Sequence, residues 1–283
     1  MITLEIIKEK FNELGITEVG IVSAKSQHIE FTAQKSAFGS KAGFSSIDKI
    51  LENAKSIIVY LVPYFNGIKP KNISMYAAGE DYHFVCKKIS SEIGMLLSEH
   101  GHKHISFADS GPLTERKLAY KAGLGIIGDN GFLINKKYGS YTFIGYIITD
   151  LALPESEIIN KQCKKCGACY KACPGNALSK DGFNENKCLS YITQKKAELT
   201  EEEKELIKKT GCIWGCDVCQ NACPMNKNVE ISPLEEFKKN LILCIKNEYL
   251  SNKEFKNKYK NRAFTWRGKS VIYRNLSILD DNG

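Results

Sequence analysis

CKKCGACYKACP occupies residues 163–174, and GCDVCQNACP occupies residues 215–224. The first stretch is C-x2-C-x2-C-x3-C: Cys163, Cys166, Cys169 and Cys173, closed by Pro174. The second is C-x2-C-x3-C: Cys216, Cys219 and Cys223, closed by Pro224, and Cys188 lies between the two. In the bacterial ferredoxin pattern, three cysteines of such a run hold one [4Fe–4S] cluster and the fourth crosses to a second. Thiolates are soft ligands suited to iron–sulfur chemistry, and the close spacing lets one short loop supply three corners. Disulfides belong to oxidising compartments and mostly to short secreted chains, whereas this one has 283 residues. Structural zinc favours two separated cysteine pairs rather than a triplet plus Cys-Pro. The spacing therefore predicts two [4Fe–4S] clusters.

Composition fits a globular protein, with 43% apolar residues. The opening residues carry Leu4, Ile7, Phe11 and Leu14 at helical spacing among charges. That pattern is too polar for a signal peptide or membrane span, so a cytoplasmic location is expected. Net charge is +8, and the excess is uneven. Residues 237–274 hold eleven Lys and Arg against Glu248 and Glu254. Phe237, Tyr249, Phe255, Tyr259, Phe264, Trp266 and Tyr273 are interleaved with them. Two readings fit: an RNA-binding surface, or a solvated helix face over core aromatics.

Upstream of the cysteines, the pattern predicts an N-terminal helix, a strand at EVGIVSA, and a loop with a short helix over 25–45. It continues with a buried apolar strand over 56–65, a helix from Asp81 to His100, and a strand from His104 ending at Asp109. A helix over 112–122 and a hairpin turning at 135–139 complete this part. His83 reads as a hydrogen-bonding residue at a helix start or as a metal or cobalt ligand. Cys86 reads as a buried thiol. Asp109 reads either as a helix cap or as an acid at a strand's end. Gly123, Gly125 and Gly128 spell G-x-G-x-x-G but follow a helix instead of opening one. They therefore read as a helix end and a close backbone approach, not a dinucleotide site. The predicted fold is α+β: a sheet domain over 1–153, a double-cluster ferredoxin-like domain over 154–230, and a basic helical segment over 231–283. A charged, solvent-facing helix is expected near 195–210.

Taken together, AKSIIVYLVPYF, SMYAAGEDYH, DSGPLTERKLAYKAGLGIIGDNGFLI, YGSYTFIGYIITD, CKKCGACYKACP, KCLSYIT, GCDVCQNACPMN and RGKSVIYRN resemble the epoxyqueuosine reductases. They run in family order over nearly the whole chain, and DSGPLTERKLAYKAGLG is the specific part. The resemblance implies a cobalamin-binding domain, distantly nitroreductase-like, ahead of the clusters. It implies reduction of epoxyqueuosine to queuosine in tRNA, with electrons passing from an external low-potential donor through the clusters to cobalamin. Asp109 matches the family's proton donor, for which a pKa raised by burial would be useful. Family position assigns Cys163, Cys166, Cys169 and Cys223 to one cluster. It assigns Cys173, Cys188, Cys216 and Cys219 to the other, with Cys212 as the competitor of Cys188. Tyr76, Asn130, Gly139 and Ser140 fall at positions that would contact cobalamin, beside Asp109. Met75 stands where relatives commonly carry Arg, and Asp129 where they carry Lys. Many relatives also continue into helical repeats, whereas this sequence ends eight residues after Asn275. Those departures keep two alternatives in view: a reductive-dehalogenase-like enzyme acting on a small molecule, and a two-cluster electron carrier.

Overall fold

The computed structural model describes residues 2–26, 29–31, 46–248 and 250–280. Most of the loop expected over 25–45, and Tyr249, lie outside the described residues. The chain divides into two compact units, Met1–Pro63 with Tyr82–Lys164, and Tyr64–Asp81 with Lys165–Gly283.

The first unit is built on a sheet of β1 (Val19–Ser23), β2 (Ser56–Pro63), β3 (His104–Ala108) and β6 (Thr142–Thr149), in the order β1-β2-β6-β3. Every pairing is antiparallel. All eight residues of β2 are buried. An unbroken apolar run often marks a parallel strand, but here the cause is cover on both faces. Helix α1 (Leu4–Glu13) and helix α2 (Tyr82–Glu99) pack against each other, and α2 also packs on β3 and β6. On that side the Tyr60 ring lies 5.1 Å from Phe11, and its hydroxyl bonds Ser90 Oγ at 2.9 Å. Gly145, opposite Tyr60 in the register, leaves room for the ring, since a Cβ there would sit 2.3 Å from it. Ile57, Val59 and Leu61 point the other way, into a core with Leu118, Ala119 and Ala122 of and after α3 (Glu115–Lys121). Each such fully buried side chain contributes about 1.5–3 kcal/mol.

Two expectations shift here. The helix predicted from Pro112 starts at Glu115, because Ser110 to Thr114 arch over β6 first. Leu113 N–H donates to the Tyr146 hydroxyl, and Thr114 N–H to the Glu30 carbonyl. The turn at 135–139 forms, closed by Asn135 and Gly139, but its two arms do not make one long hairpin. The incoming arm, β5 (Leu133–Ile134), pairs with β4 (Ile126–Ile127), while the outgoing arm becomes β6 at the sheet's centre. Gly123 has φ +71° and a Cβ on it would meet the Glu157 carbonyl at 2.2 Å. A Cβ on Gly125 would meet the Ile134 carbonyl at 2.6 Å. The glycines thus serve a helix end and close backbone approach, as their context implied.

The second unit holds two short helices, α4 (Ala168–Ala172) and α7 (Val218–Asn221), packed on each other. Each is followed by an extended cysteine and a proline, Cys173-Pro174 and Cys223-Pro224 with its Ala222 link. Between them lie a small hairpin of β7 (Leu178–Ser179) and β8 (Gly182–Phe183), helix α5 (Leu189–Gln194) and helix α6 (Glu201–Thr210). Helix α6 opens with a Thr200–Glu203 capping box, ends at left-handed Gly211, and buries only Ile207. Its other residues, Leu206 and Thr210 apart, are charged, as its sequence indicated. The tail is less helical than expected: α8 spans Asn252–Lys258 and α9 spans Lys269–Asp280, with only short 3-10 turns elsewhere. Residues 241–248 form neither helix nor strand, and are held by bonds such as Ile245 N–H to Asn72 Oδ1. Helix α9 is fastened by Asn275, which is fully buried and donates to the carbonyls of Thr193 and Ile213 at 2.7 and 2.9 Å.

Candidate active site and cluster-binding cysteines

Asp109 follows β3 and has φ +64°, a left-handed conformation that residues with a Cβ seldom adopt. It is not a helix cap, since Thr114 occupies that position. Asp and Asn tolerate this region better than most residues, and such outliers cluster at functional sites. His83 Nε2 stands 3.5 Å from Asp109 Oδ2, and the Tyr82 side chain also hydrogen-bonds the carboxylate. Tyr82 in turn lies flat on Phe143. His83 thus meets the expectation of a hydrogen-bonding role, with a loop carboxylate as its partner.

The expected upward shift of the Asp109 pKa is not found. Burial, the largest influence, pushes it up, but the hydrogen bonds from His83 and Tyr82 and the charge of His83 outweigh it, so the net shift is downward. The side chain is 59% exposed, so dehydration is too weak to keep it neutral.

Asn130 and Ser140 are buried near this loop's sheet, Asn130 accepting from Phe132 N–H at 3.3 Å. Gly139 has φ +59° and exchanges two backbone hydrogen bonds with Asn135. Asn135 is itself anchored, donating to Glu18 Oε2 and the Leu124 carbonyl, both at 2.7 Å. Tyr76 belongs to the second unit, where its hydroxyl accepts from Trp214 Nε1 at 2.9 Å. Met75 is buried, and its N–H donates to Asp217 Oδ2 at 2.7 Å. An apolar side chain at this position therefore fills core. Asp129 sits half-buried in the β4–β5 turn.

None of the eleven cysteines is in a disulfide. Cys173, Cys188 and Cys219 lie close enough that each thiolate raises the pKa of a neighbour, and Cys169 acts on Cys219 in the same way. Burial pushes Cys216 and Cys219 up to about 12, with neighbouring thiols and Asp217 adding to the shift of Cys216. Iron must therefore displace protons to bind. Backbone N–H groups are aimed at the sulfurs: Ala177 at Cys173 Sγ (3.2 Å), Ser190 and Tyr191 at Cys188, Val218 at Cys216. Cys212 neighbours Cys216 but hydrogen-bonds the carbonyls of Trp214 and Gly215. Among the described residues, no three metal-ligating side chains converge on a point that would hold a single ion.

The family model described as "Epoxyqueuosine reductase QueG, DUF1730" matches residues 45–110, and "4Fe-4S double cluster binding domain" matches 162–226. An epoxyqueuosine reductase of Lactococcus garvieae is 37% identical over 244 residues, 80% of this chain and 68% of the relative. The chain belongs to the epoxyqueuosine reductase family. The fold agrees: the Streptococcus thermophilus epoxyqueuosine reductase superposes with a TM-score of 0.84 at 29% identity, over 99% of this chain and 82% of that one. Another epoxyqueuosine reductase, solved with an epoxyqueuosine-modified tRNA stem loop, gives 0.80 at 26% identity, over 97% and 80%. A catabolic reductive dehalogenase gives 0.55 at 17% identity, over 98% of this chain and 35% of that one, a likeness of fold alone. As an epoxyqueuosine reductase family member the chain is an oxidoreductase with a double [4Fe–4S] domain. Among the described residues, no helix is long and apolar enough to cross a membrane.

The residues of the first unit also suit cobalamin. Beside Asp109 the Tyr82 ring stacks with both Phe143 and His83, an aromatic group suited to a planar macrocycle, and Thr142 Oγ1 at the head of β6 is buried with no hydrogen-bond partner among the described residues. Sequence reasoning missed Tyr82 and Glu115 as neighbours of Asp109. Tyr82 carried a signal in the D-Y-H motif. Glu115 carried none, because an acid in a helix's first turn is ordinary.

Proposed function

We propose that this protein reduces epoxyqueuosine in tRNA to queuosine. The observation that supports this reading most directly is Asp109, held in a strained conformation at the sheet's end with its carboxylate exposed and gripped by His83 and Tyr82. Opening the epoxide to the alkene consumes two electrons and two protons and releases its oxygen as water. When bound, cobalamin supplies the strongly reducing cobalt that no side chain can replace. Cys163, Cys166, Cys169 and Cys223 would hold one cluster; Cys173, Cys188, Cys216 and Cys219 would hold the second. Both would be filled by an external low-potential donor. Asp109, whose own carboxyl rests ionised, passes a proton to the departing oxygen by taking it from His83, to which it is hydrogen-bonded. Asn130, Gly139, Ser140 and Tyr76 are assigned to cobalamin contact.

The RNA contact is assigned to the basic tail. Phe237, Phe255, Tyr259 and Phe264 are core residues, which accounts for most of the interleaved aromatics. Trp266 differs: it is 52% exposed, with the Arg267 guanidinium 3.8 Å from its ring. An exposed indole beside a cation suits stacking on an unpaired base.

The test is anaerobic reconstitution with iron, sulfide and cobalamin, then turnover of an epoxyqueuosine stem loop. About eight irons and about one cobalt per chain, with queuosine formed, are expected. Iron without cobalt would sink the proposal.

A further inference from the structure

Glu115 opens α3, and its carboxyl accepts a hydrogen bond from the Asp109 backbone N–H. Its Oε1 is shut off from solvent with no hydrogen-bond partner among the described residues. A carboxylate would leave that oxygen both charged and unsolvated, whereas a carboxylic acid places a proton on it. The groups facing Glu115 are few. Asp109 opposes its ionisation, and Arg116 on its own helix and His83 on α2 favour it. The remaining neighbours are the phenols of Tyr60 on β2 and Tyr146 on β6, both kept neutral by burial. Burial and then the Asp109 charge push the Glu115 carboxyl up to about 8.

The loop between the two acids is fixed at few points. Gly111 passes so near the Tyr146 hydroxyl that a Cβ would lie 2.0 Å from it, and Leu113 N–H donates to the same oxygen. Between that anchor and β3, Ser110 N–H donates to the Ala108 carbonyl at 2.8 Å across Asp109, and the bond from Asp109 N–H to Glu115 ties the left-handed residue's own N–H to α3. His83 and Tyr82 hold only its side chain.

We propose that Glu115 is a positioning residue for Asp109, clamping its backbone in the left-handed conformation while remaining neutral, so that the site carries one negative charge and not two. This rests on Asp109 being the acid of the proposed reaction. A second negative charge would oppose the charge that grows on the departing oxygen, so turnover falls once Glu115 ionises.

Two variants separate clamp from charge. Glu115→Gln keeps a carbonyl oxygen for the Asp109 N–H and cannot ionise; Glu115→Ala loses both. The readouts are amide exchange of Asp109 in the full chain and single-turnover reduction of the stem loop by reconstituted protein across the pH range. Wild-type turnover should decline above about pH 8. The Gln variant should keep slow exchange and comparable turnover but lose that decline. The Ala variant should exchange about tenfold faster at Asp109, with turnover falling in step. Unchanged Asp109 exchange in the Ala variant, or an unchanged alkaline decline in the Gln variant, overturns the proposal. Should the wild type reduce no epoxyqueuosine, the proposed function fails, and the exchange rates alone still decide whether the clamp exists.

Discussion

Tyr82 and Phe143 stack with ring centroids 4.0 Å apart and 8° between their planes. The stack fixes the ring whose side chain hydrogen-bonds Asp109. Tyr82→Phe keeps the stack and deletes the bond. Since that bond favours the carboxylate, the Asp109 pKa should rise, and protonated Asp109 should persist to higher pH. A carboxyl-selective titration by NMR checks the direction. Asp109→Asn should keep both clusters and lose about a hundredfold or more in turnover.

Glu115 also shapes stability against pH. Its folded pKa, about 8, lies above its ordinary 4.5. The unfolded chain therefore releases this proton first, and folding stability falls as pH rises from about 4.5 towards 8. Urea midpoints across that window should drop in the wild type and drop less in Glu115→Gln.

The cysteine assignment predicts an asymmetry between two nearby thiols. Cys188→Ser should cost about four irons per chain, while Cys212→Ser should leave the iron content unchanged. Iron analysis and the visible spectrum decide it. Equal losses would make Cys212 a ligand.

Trp266→Ala should weaken stem-loop binding by about 1–3 kcal/mol and leave the clusters intact. Its salt dependence should stay unchanged, because no phosphate charge partner is removed. A neighbouring Lys variant should flatten that dependence instead.

Asn275→Ala should destabilise the second unit by about 2–4 kcal/mol, since it strips donors from two buried carbonyls. Denaturant unfolding measures it. The R-N motif, in which Arg274 also donates to the carbonyls of Lys195 and Ala197 at 2.8 Å, therefore serves the fold.

What could be read from the sequence was local. The apolar run of β2, the 3.6-residue pattern of α2 and the cysteine spacing each lie within one short window. The antiparallel order was not legible, because covered faces erase the alternation that distinguishes sheet types. The left-handed Asp109 and its hold on Glu115 were hidden too, since they depend on an arch anchored by Tyr146, far along the chain. The second unit's claim on residues 64–81 was equally invisible: Asn72 and Ser74 find their partners at Ile245 and Asp217. The aromatics of the tail show the opposite problem, with one pattern fitting two roles, and only burial distinguishes exposed Trp266 from the core residues Phe237, Phe255, Tyr259 and Phe264.

The chain passes between its two units three times, after Pro63, after Asp81 and after Lys164. Neither unit is therefore a continuous stretch of coding sequence. A single genetic crossover cannot hand one unit to another protein intact, nor can one proteolytic cut release it whole. The two have had to be inherited and to diverge as a pair.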